Sequence, residues 1–428
     1  MPSWSNWSGS VTAQPRRIAS PRDEDELAAL LRDCEKARVV GAGHSFMPLC
    51  STKDTLIRLD AMEGDLIVAP GRDRVSAPAG WSLKRLTQAL WAQGLSLVNQ
   101  GDVNPQSLAG AMATGTHGTG AELGSLSTQA RAFRVMGPDG AISACSAFVE
   151  PDLFQAARLS LGVIGVATRI DVAVMEAYYL EEVLRAERFD VVREAYLAWS
   201  GQNRHVEFFV FPYAEHAIVK RLNTCPASDA PARDTDMEEG AFRLLCDACA
   251  AAPALTGALQ KMFTPKKLLA KRSGPAHRIF PSQRTVRFEE MEYVLPQSAG
   301  LAALDTLIAT IRSKKLPVAF PFEVRLVAQD DIWMSPFQFG PSMTIAVHQY
   351  AKMPWGAFFA EAEAILLAHG GRPHWGKRHS LRHDDVCRLY PNADRFKAVR
   401  RDIDPEGQFL NGHLAALFGD RQQTEAPA

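Results

Sequence analysis

Two histidines stand in glycine-rich stretches of this 428-residue chain: His44 in RVVGAGHSFMPL and His117 in AGAMATGTHGTGAELGS. Glycines let backbone approach a ligand closely, and successive N–H groups form an anion-binding concavity. Ser45, Thr114, Thr116 and Thr119 add hydroxyl donors. Two such loops suit a ligand carrying a pyrophosphate, gripped from two sides. Neither is a Rossmann fingerprint: GAGHSF has Gly41 and Gly43 but no third glycine, and GTHGTG (Gly115, Gly118, Gly120) reverses the spacing. A metal site needs converging ligands at short spacing, and neither histidine has such neighbours along the chain, so no metal is expected. Two roles remain for an imidazole here: structural hydrogen bonding, or nucleophilic attachment to an electrophilic cofactor.

A second group of polar residues lies far downstream. In PFEVR, Glu323 and Arg325 fall on one face of a strand, as a structural ion pair or as a substrate site. RPHWGKRHSL places His374 and Lys377 in a turn between two helical stretches, where loops carry function. His348 in TIAVHQY alternates onto a strand face.

The elements that must position these residues read as α+β. SPRDEDELAALLRDCEKA predicts a helix capped by Ser20 with Pro21 at its first position, followed by the strand ARVVG. SLKRLTQALWAQG is a second capped helix, ARAFRVMGPDGAISACS a hairpin, and VIGVATRIDVAV a long strand. Strands and helices alternate to about residue 175. Beyond it FDVVREAYLAWSG reads as helix, and HVEFFVFPYA and AIVKRLNTC as strands. Residues 224–275 read as helical with a loop. TVRFEEMEYVLP, VAFPFEVRLVA and SMTIAVHQYA then predict strands around the helix GLAALDTLIATIRSKKLP.

Net charge of −1 and the lack of a basic stripe exclude an electrostatic footing for nucleic-acid binding. MPSWSNWSGS lacks a secretory apolar region, and no apolar run reaches the ~18 residues of a spanning helix. A cytoplasmic protein with no membrane partner is the expectation. Seven scattered cysteines argue against a disulfide framework, and Cys246 and Cys249 in LLCDACAAA read as two helical cysteines.

GAGHSF, SLAGAMATGTHGTG, LGVIGVATRIDV, FEVR, RPHWGKRHSL and DPEGQFLNGHL, in that order, resemble the sugar-lactone and alditol oxidase branch of the vanillyl-alcohol-oxidase flavoprotein family. The resemblance runs from WSNWSG to about residue 418. It implies a two-subdomain, PCMH-type FAD-binding domain over residues 1–176. A sheet-and-helices cap domain follows over 177–428, its C-terminal segment near Asn411 returning to the flavin. It implies FAD held covalently through His44, with Gly41, Ala42, Gly43 and Ser45 along the pyrophosphate. Ser107, Ala111, Thr114, Gly115, His117 and Gly118 would form the opposite wall, and Ile164 and Val166 the adenine side. His117 would then only pack and hydrogen-bond beside the cofactor.

At the substrate end the resemblance implies Glu323 on the substrate hydroxyls and Arg325 on the substrate oxygen. Lys377 would stand near the flavin N1–O2 edge with His374 close by, and Glu323 or His348 would take the proton. The implied reaction moves a hydride from a carbinol C–H of a sugar-1,4-lactone to flavin N5. Glycine at or near Gly101, where this branch gates oxygen, implies an oxidase that yields hydrogen peroxide. Oxidation of open-chain polyols, or a dehydrogenase using another acceptor, is the alternative. A flavin carrier without turnover is disfavoured by the intact Glu323, Arg325 and Lys377.

Overall fold

The computed structural model describes residues 2–228, 236–282 and 284–419. Among these residues the N-terminal part holds two sheets besides the short pair Trp4–Ser5 and Thr12–Ala13. Arg17–Ala19, Thr55–Arg58 and Ala37–Val40 pair in parallel, with Thr55–Arg58 in the middle. The helix Glu24–Arg32 packs on them through Leu27 and Leu31. Its cap is Asp23, not Ser20: the Asp23 carboxylate accepts the Glu26 N–H at 2.8 Å, closing the first turn three residues later than expected.

The second sheet has six strands, all antiparallel, built around the 11-residue strand Val166–Glu176. The expected hairpin is there, as Ala130–Met136 and Ile142–Ser146. The expected helix before the second glycine loop spans Leu108–Ala113, with Ser107 as N-cap.

At Tyr179 the chain enters an eight-stranded antiparallel sheet. Its order is Leu268–Pro275, Tyr179–Arg188, His216–Cys225, His205–Val210, Phe322–Val327, Ser342–Tyr350, Phe288–Pro296, Arg372–Pro373. Besides the two-residue Arg372–Pro373, which lies in a stretch read as a turn, two of these strands depart from the sequence reading. Tyr179–Arg188 is unassigned there, because its acids blur the alternation, and Leu268–Pro275 falls in a stretch read as helix and loop.

Alternation gives this sheet two unlike faces. Phe208, Tyr293, Phe322, Val324 and Ile345 face the helices Phe189–Ser200, Gln297–Lys314 and Gly356–Ala368, forming a dry core. Glu207, Lys220, Glu290, Glu292, Glu323, Arg325 and His348 take the other parity, and all are buried. The C-terminal helices His383–Leu389, Ala393–Ile403 and Gly412–Phe418 return to the N-terminal half, where Val386, Phe396 and Leu414 join its core. Cys246 and Cys249 sit buried on the helix Asp236–Ala251, as expected.

Candidate active site

The first glycine loop is held in place from outside. The Trp7 N–H donates to Gly43 O at 2.8 Å, Asn6 Nδ2 to Ser45 O at 3.0 Å, and the Phe46 N–H to Gly376 O at 2.8 Å. Buried Arg38 donates to Leu49, Leu161 and Gly162 carbonyls at 2.8 Å and also to Phe409 O. A buried guanidinium satisfied by four carbonyls fixes every segment it touches. Asn411 caps the last helix and donates to Pro48 O at 2.8 Å and Ser51 O at 3.0 Å, so it braces the loop from behind.

Between this loop and the helix Leu108–Ala113 lies a cavity of about 370 Å³. Gly41, Ala42, Gly43, Ser45, Ser107, Gly110, Thr114, Gly165 and Val166 line it, with apolar Val39, Leu59 and Phe133. A Cβ on Gly41 would stand 2.3 Å from Ser107 Oγ, so the loops meet only because that position is glycine. Gly43 has φ +68°, a left-handed conformation that favours glycine. The size falls in the range of cofactor clefts, roughly 300–1,000 Å³. Backbone amides beside a helix N-terminus and an apolar remainder are the donor set that a dinucleotide flavin requires, and the residues fit FAD.

A second cavity of about 70 Å³ adjoins the first, and His44, Ser45, Gln106 and Thr114 line both. His44 stacks on Trp7 with ring centroids 5.4 Å apart. Burial, aided by Lys377, lowers its pKa to about 4, so the imidazole is neutral and nucleophilic at pH 7.

The small cavity is walled by charge. Arg325 pairs with Glu323 through Nη2, and its Nε lies 3.2 Å from Glu207 Oε2. Behind it Glu207 meets Lys220 at 3.0 Å, and Lys220 meets Asp102 at 3.6 Å. Asp102 accepts from Arg284 at 2.6 Å and Ser282 at 2.7 Å. Burial opposes the Asp102 anion, but Lys220, Arg284 and Arg325 outweigh it and hold the carboxyl ionised. Burial likewise works against the Arg325 charge, and Glu323 and Glu207 more than restore it.

Across the cavity Lys377 donates to Glu290, and His348 Nε2 lies 3.4 Å from the same carboxylate. Burial opposes the Glu290 charge too, yet Lys377, first among its neighbours, keeps it ionised. His348 Nδ1 faces Pro321 O at 3.2 Å. His117 Nε2 stands 3.0 Å from Glu292 Oε1 and its Nδ1 2.8 Å from Gly118 O. His374 accepts the Gly376 N–H on Nδ1 at 3.1 Å, and burial drives its pKa to about 3.

Glu323, Arg325, His348, His374 and Lys377, scattered through the sequence, thus converge on one cavity. His117 is placed differently from its expectation: it faces this cavity rather than the large one. With Glu292 and His374 it also gathers three metal-type ligand atoms within 4.8 Å, a convergence that spacing along the chain did not show. Ala111 and Ile164 are core residues behind the large cavity. Gly115, at φ +75°, turns the chain after the helix. A Cβ on Gly118 would meet Gln100 O at 2.2 Å, and one on Gly101 would meet Thr116 Cγ2 at 3.1 Å. Asp102, Glu207, Lys220, Arg284, Glu290 and Glu292 were missed. Most carried a signal: a charge at alternate positions of an apolar strand, as in FEEMEYV and HVEFF.

Comparisons with known proteins bear on the family and the fold. Residues 170–417 match the family described as D-arabinono-1,4-lactone oxidase, and residues 15–146 an FAD binding domain. The chain is 34% identical to an L-gulono-1,4-lactone dehydrogenase of Mycobacterium tuberculosis, covering 98% of this chain and 99% of that one. It is 29% identical to the L-gulonolactone oxidase of Mus musculus, over 96% and 97%. It is 27% identical to an alditol oxidase of Streptomyces, over 96% and 98%. Among solved structures, cholesterol oxidase from B. sterolicum superposes with a TM-score of 0.84 over 97% of this chain and 96% of that one. At 16% identity that likeness is one of fold, and the fold is the expected α+β flavoprotein architecture.

Proposed function

The chain belongs to the D-arabinono-1,4-lactone oxidase family, and on that premise we propose that it oxidises a sugar-1,4-lactone of the L-gulono or D-arabinono kind. It is an FAD-dependent oxidoreductase acting on CH–OH groups. The observation that carries the reading is the junction at His44 between a dinucleotide-sized cavity and a small charged one. We assign FAD binding to residues 1–176 and substrate capping to 177–428, with His44 as the covalent tether.

Bound in the large cavity, FAD supplies the acceptor for the hydride leaving the carbinol carbon. The rest falls to side chains. Arg325, locked between Glu323 and Glu207, offers fixed N–H donors to the substrate oxygen without reorganising during reaction. Glu323 is engaged by Arg325 and orients hydroxyls. His348 takes the hydroxyl proton: with Nδ1 turned to Pro321 O, its Nε2 faces the cavity, and the new N–H meets Glu290. Lys377, held by Glu290, places a positive charge beside the junction.

We assign oxygen as acceptor from the glycine at Gly101. The relative named a dehydrogenase favours a second reading, another electron acceptor. The test is turnover of L-gulono-1,4-lactone and of xylitol, in air and with an artificial acceptor. Peroxide from the lactone, absent with xylitol, is expected. Turnover only with the artificial acceptor would replace oxidase by dehydrogenase, and turnover of xylitol alone would replace the lactone by a polyol. Yellow colour that survives acid precipitation is expected from the His44 tether.

A further inference from the structure

The histidines around the small cavity are held in two different ways. Three are fixed through a ring nitrogen by backbone. His117 Nδ1 donates to Gly118 O at 2.8 Å, His348 Nδ1 faces Pro321 O at 3.2 Å, and His374 Nδ1 accepts the Gly376 N–H at 3.1 Å. His44 is the exception. Among the described residues neither of its ring nitrogens has a hydrogen-bond partner. Its imidazole lies instead on the Trp7 indole, with ring centroids 5.4 Å apart and planes 25° from parallel. A face contact fixes the plane of a ring and shields that face from water, while the nitrogens at the ring edge stay clear.

The indole is itself held. Phe288 meets it edge-on at 5.1 Å and Phe46 at 6.5 Å between centroids, and the Arg287 guanidinium stands 5.7 Å from its centre. Phe46 follows the first glycine loop, and Phe288 opens the strand Phe288–Pro296 of the large sheet, so both halves of the molecule support the platform. The loop is clasped by other bonds: the Trp7 backbone N–H to Gly43 O, and Asn6 to Ser45 O. Those bonds survive a change of side chain at position 7. Stacking on His44 is therefore separable from the shape of the loop.

We propose that Trp7 is a positioning residue for flavin attachment: its indole sets the plane of the His44 imidazole and so presents a free ring nitrogen to the junction of the two cavities. The inference rests on the reading of His44 as the tether. In the attachment step that nitrogen forms a bond to a methyl carbon of the flavin ring system through its lone pair. One methyl C–H bond breaks and its electron pair passes to the flavin. The methyl proton and the imidazole N–H proton follow, which leaves the flavin reduced by two electrons. Dioxygen or another electron acceptor then takes those two electrons with two protons.

The test is the rate of attachment. Full-length protein from flavin-starved cells is mixed with FAD in air, samples are precipitated with acid over time, and flavin that stays with the protein is measured. Trp7→Leu keeps an apolar side chain but removes the stacking face. It should retain FAD through gel filtration before acid treatment, yet attach it about ten-fold to 10²-fold more slowly than wild type. Trp7→Phe restores a face and should attach close to the wild-type rate. Attachment by Trp7→Leu at the wild-type rate overturns the proposal and leaves the tether reading standing. So does Trp7→Phe as slow as Trp7→Leu, because ring stacking would then not be the cause. Loss of FAD retention in both variants would assign Trp7 to cofactor binding and overturn the positioning role. Flavin released by acid from the fully loaded wild-type protein removes the tether itself, and the proposal with it.

Discussion

The two adjoining cavities are built by opposite means. The large one depends on backbone approach: glycines bring the two loops within reach, and Arg38 and Asn411 brace the first of them. The small one is walled by side chains projecting from one face of a sheet, each charge answered by another. A backbone wall grips the constant part of a ligand. A charged wall can be rearranged without moving the fold, and the proposed function puts selectivity and proton transfer there. His44 belongs to both.

The contrast predicts separable failures. Arg325→Met and Glu323→Gln should slow flavin reduction by on the order of 10²–10³ and leave the flavin bound, seen by anaerobic stopped-flow absorbance. Reduction near the wild-type rate would remove the pair from the reaction. Asp102→Ala leaves half-buried Arg284 without its carboxylate and buried Lys220 with Glu207 as its near partner, and should cost up to about 3 kcal/mol in denaturant unfolding. A loss confined to substrate affinity would mean the network is not structural. In the other cavity, Gly41→Ala should force Ser107 aside and loosen FAD, while His44→Ala should leave FAD removable by gel filtration under denaturing conditions. Flavin still attached after His44→Ala would place the tether elsewhere.

A pH dependence of stability follows as well. Burial holds His44 near pKa 4 and His374, His379 and His205 near 3, against about 6.5 in the unfolded chain. Below pH ~6.5 the unfolded chain therefore takes up protons that the fold refuses. Stability is complete above that pH and declines as pH falls toward the folded values. The Asp102 and Glu290 carboxyls, held low, add a further loss below their usual range near ~4. The melting temperature should fall from pH 7 to pH 5, with proton uptake on unfolding. A flat profile would contradict the burial of neutral histidines.

The same contrast explains what could be read from the chain alone. Gly41, Gly43 and Ser107 were legible because glycine and capping residues announce backbone geometry locally. The strand bearing Glu323 and Arg325 was legible as alternation. Glu290, Glu292, Glu207 and Lys220 were not picked out, since a charge in a strand declares a purpose only when distant pairings such as Phe208 with Val324 and Glu290 with His348 are known. His117 shows the limit from the other side. Its loop pointed to the cofactor, whereas its side chain crosses to Glu292 on the capping sheet. The strand Tyr179–Arg188 stayed hidden because buried Glu182, paired with Arg272, breaks its apolar parity.

The division of labour between the cavities can be tested most directly by an X-ray structure of the FAD-loaded enzyme, soaked anaerobically with L-gulono-1,4-lactone. Flavin density along Gly41–Ser45 and Ser107, reaching His44, with the lactone against Glu323, Arg325 and His348, is the predicted result. Lactone density outside the cavity bounded by those three side chains, or a flavin ring away from His44, would contradict it.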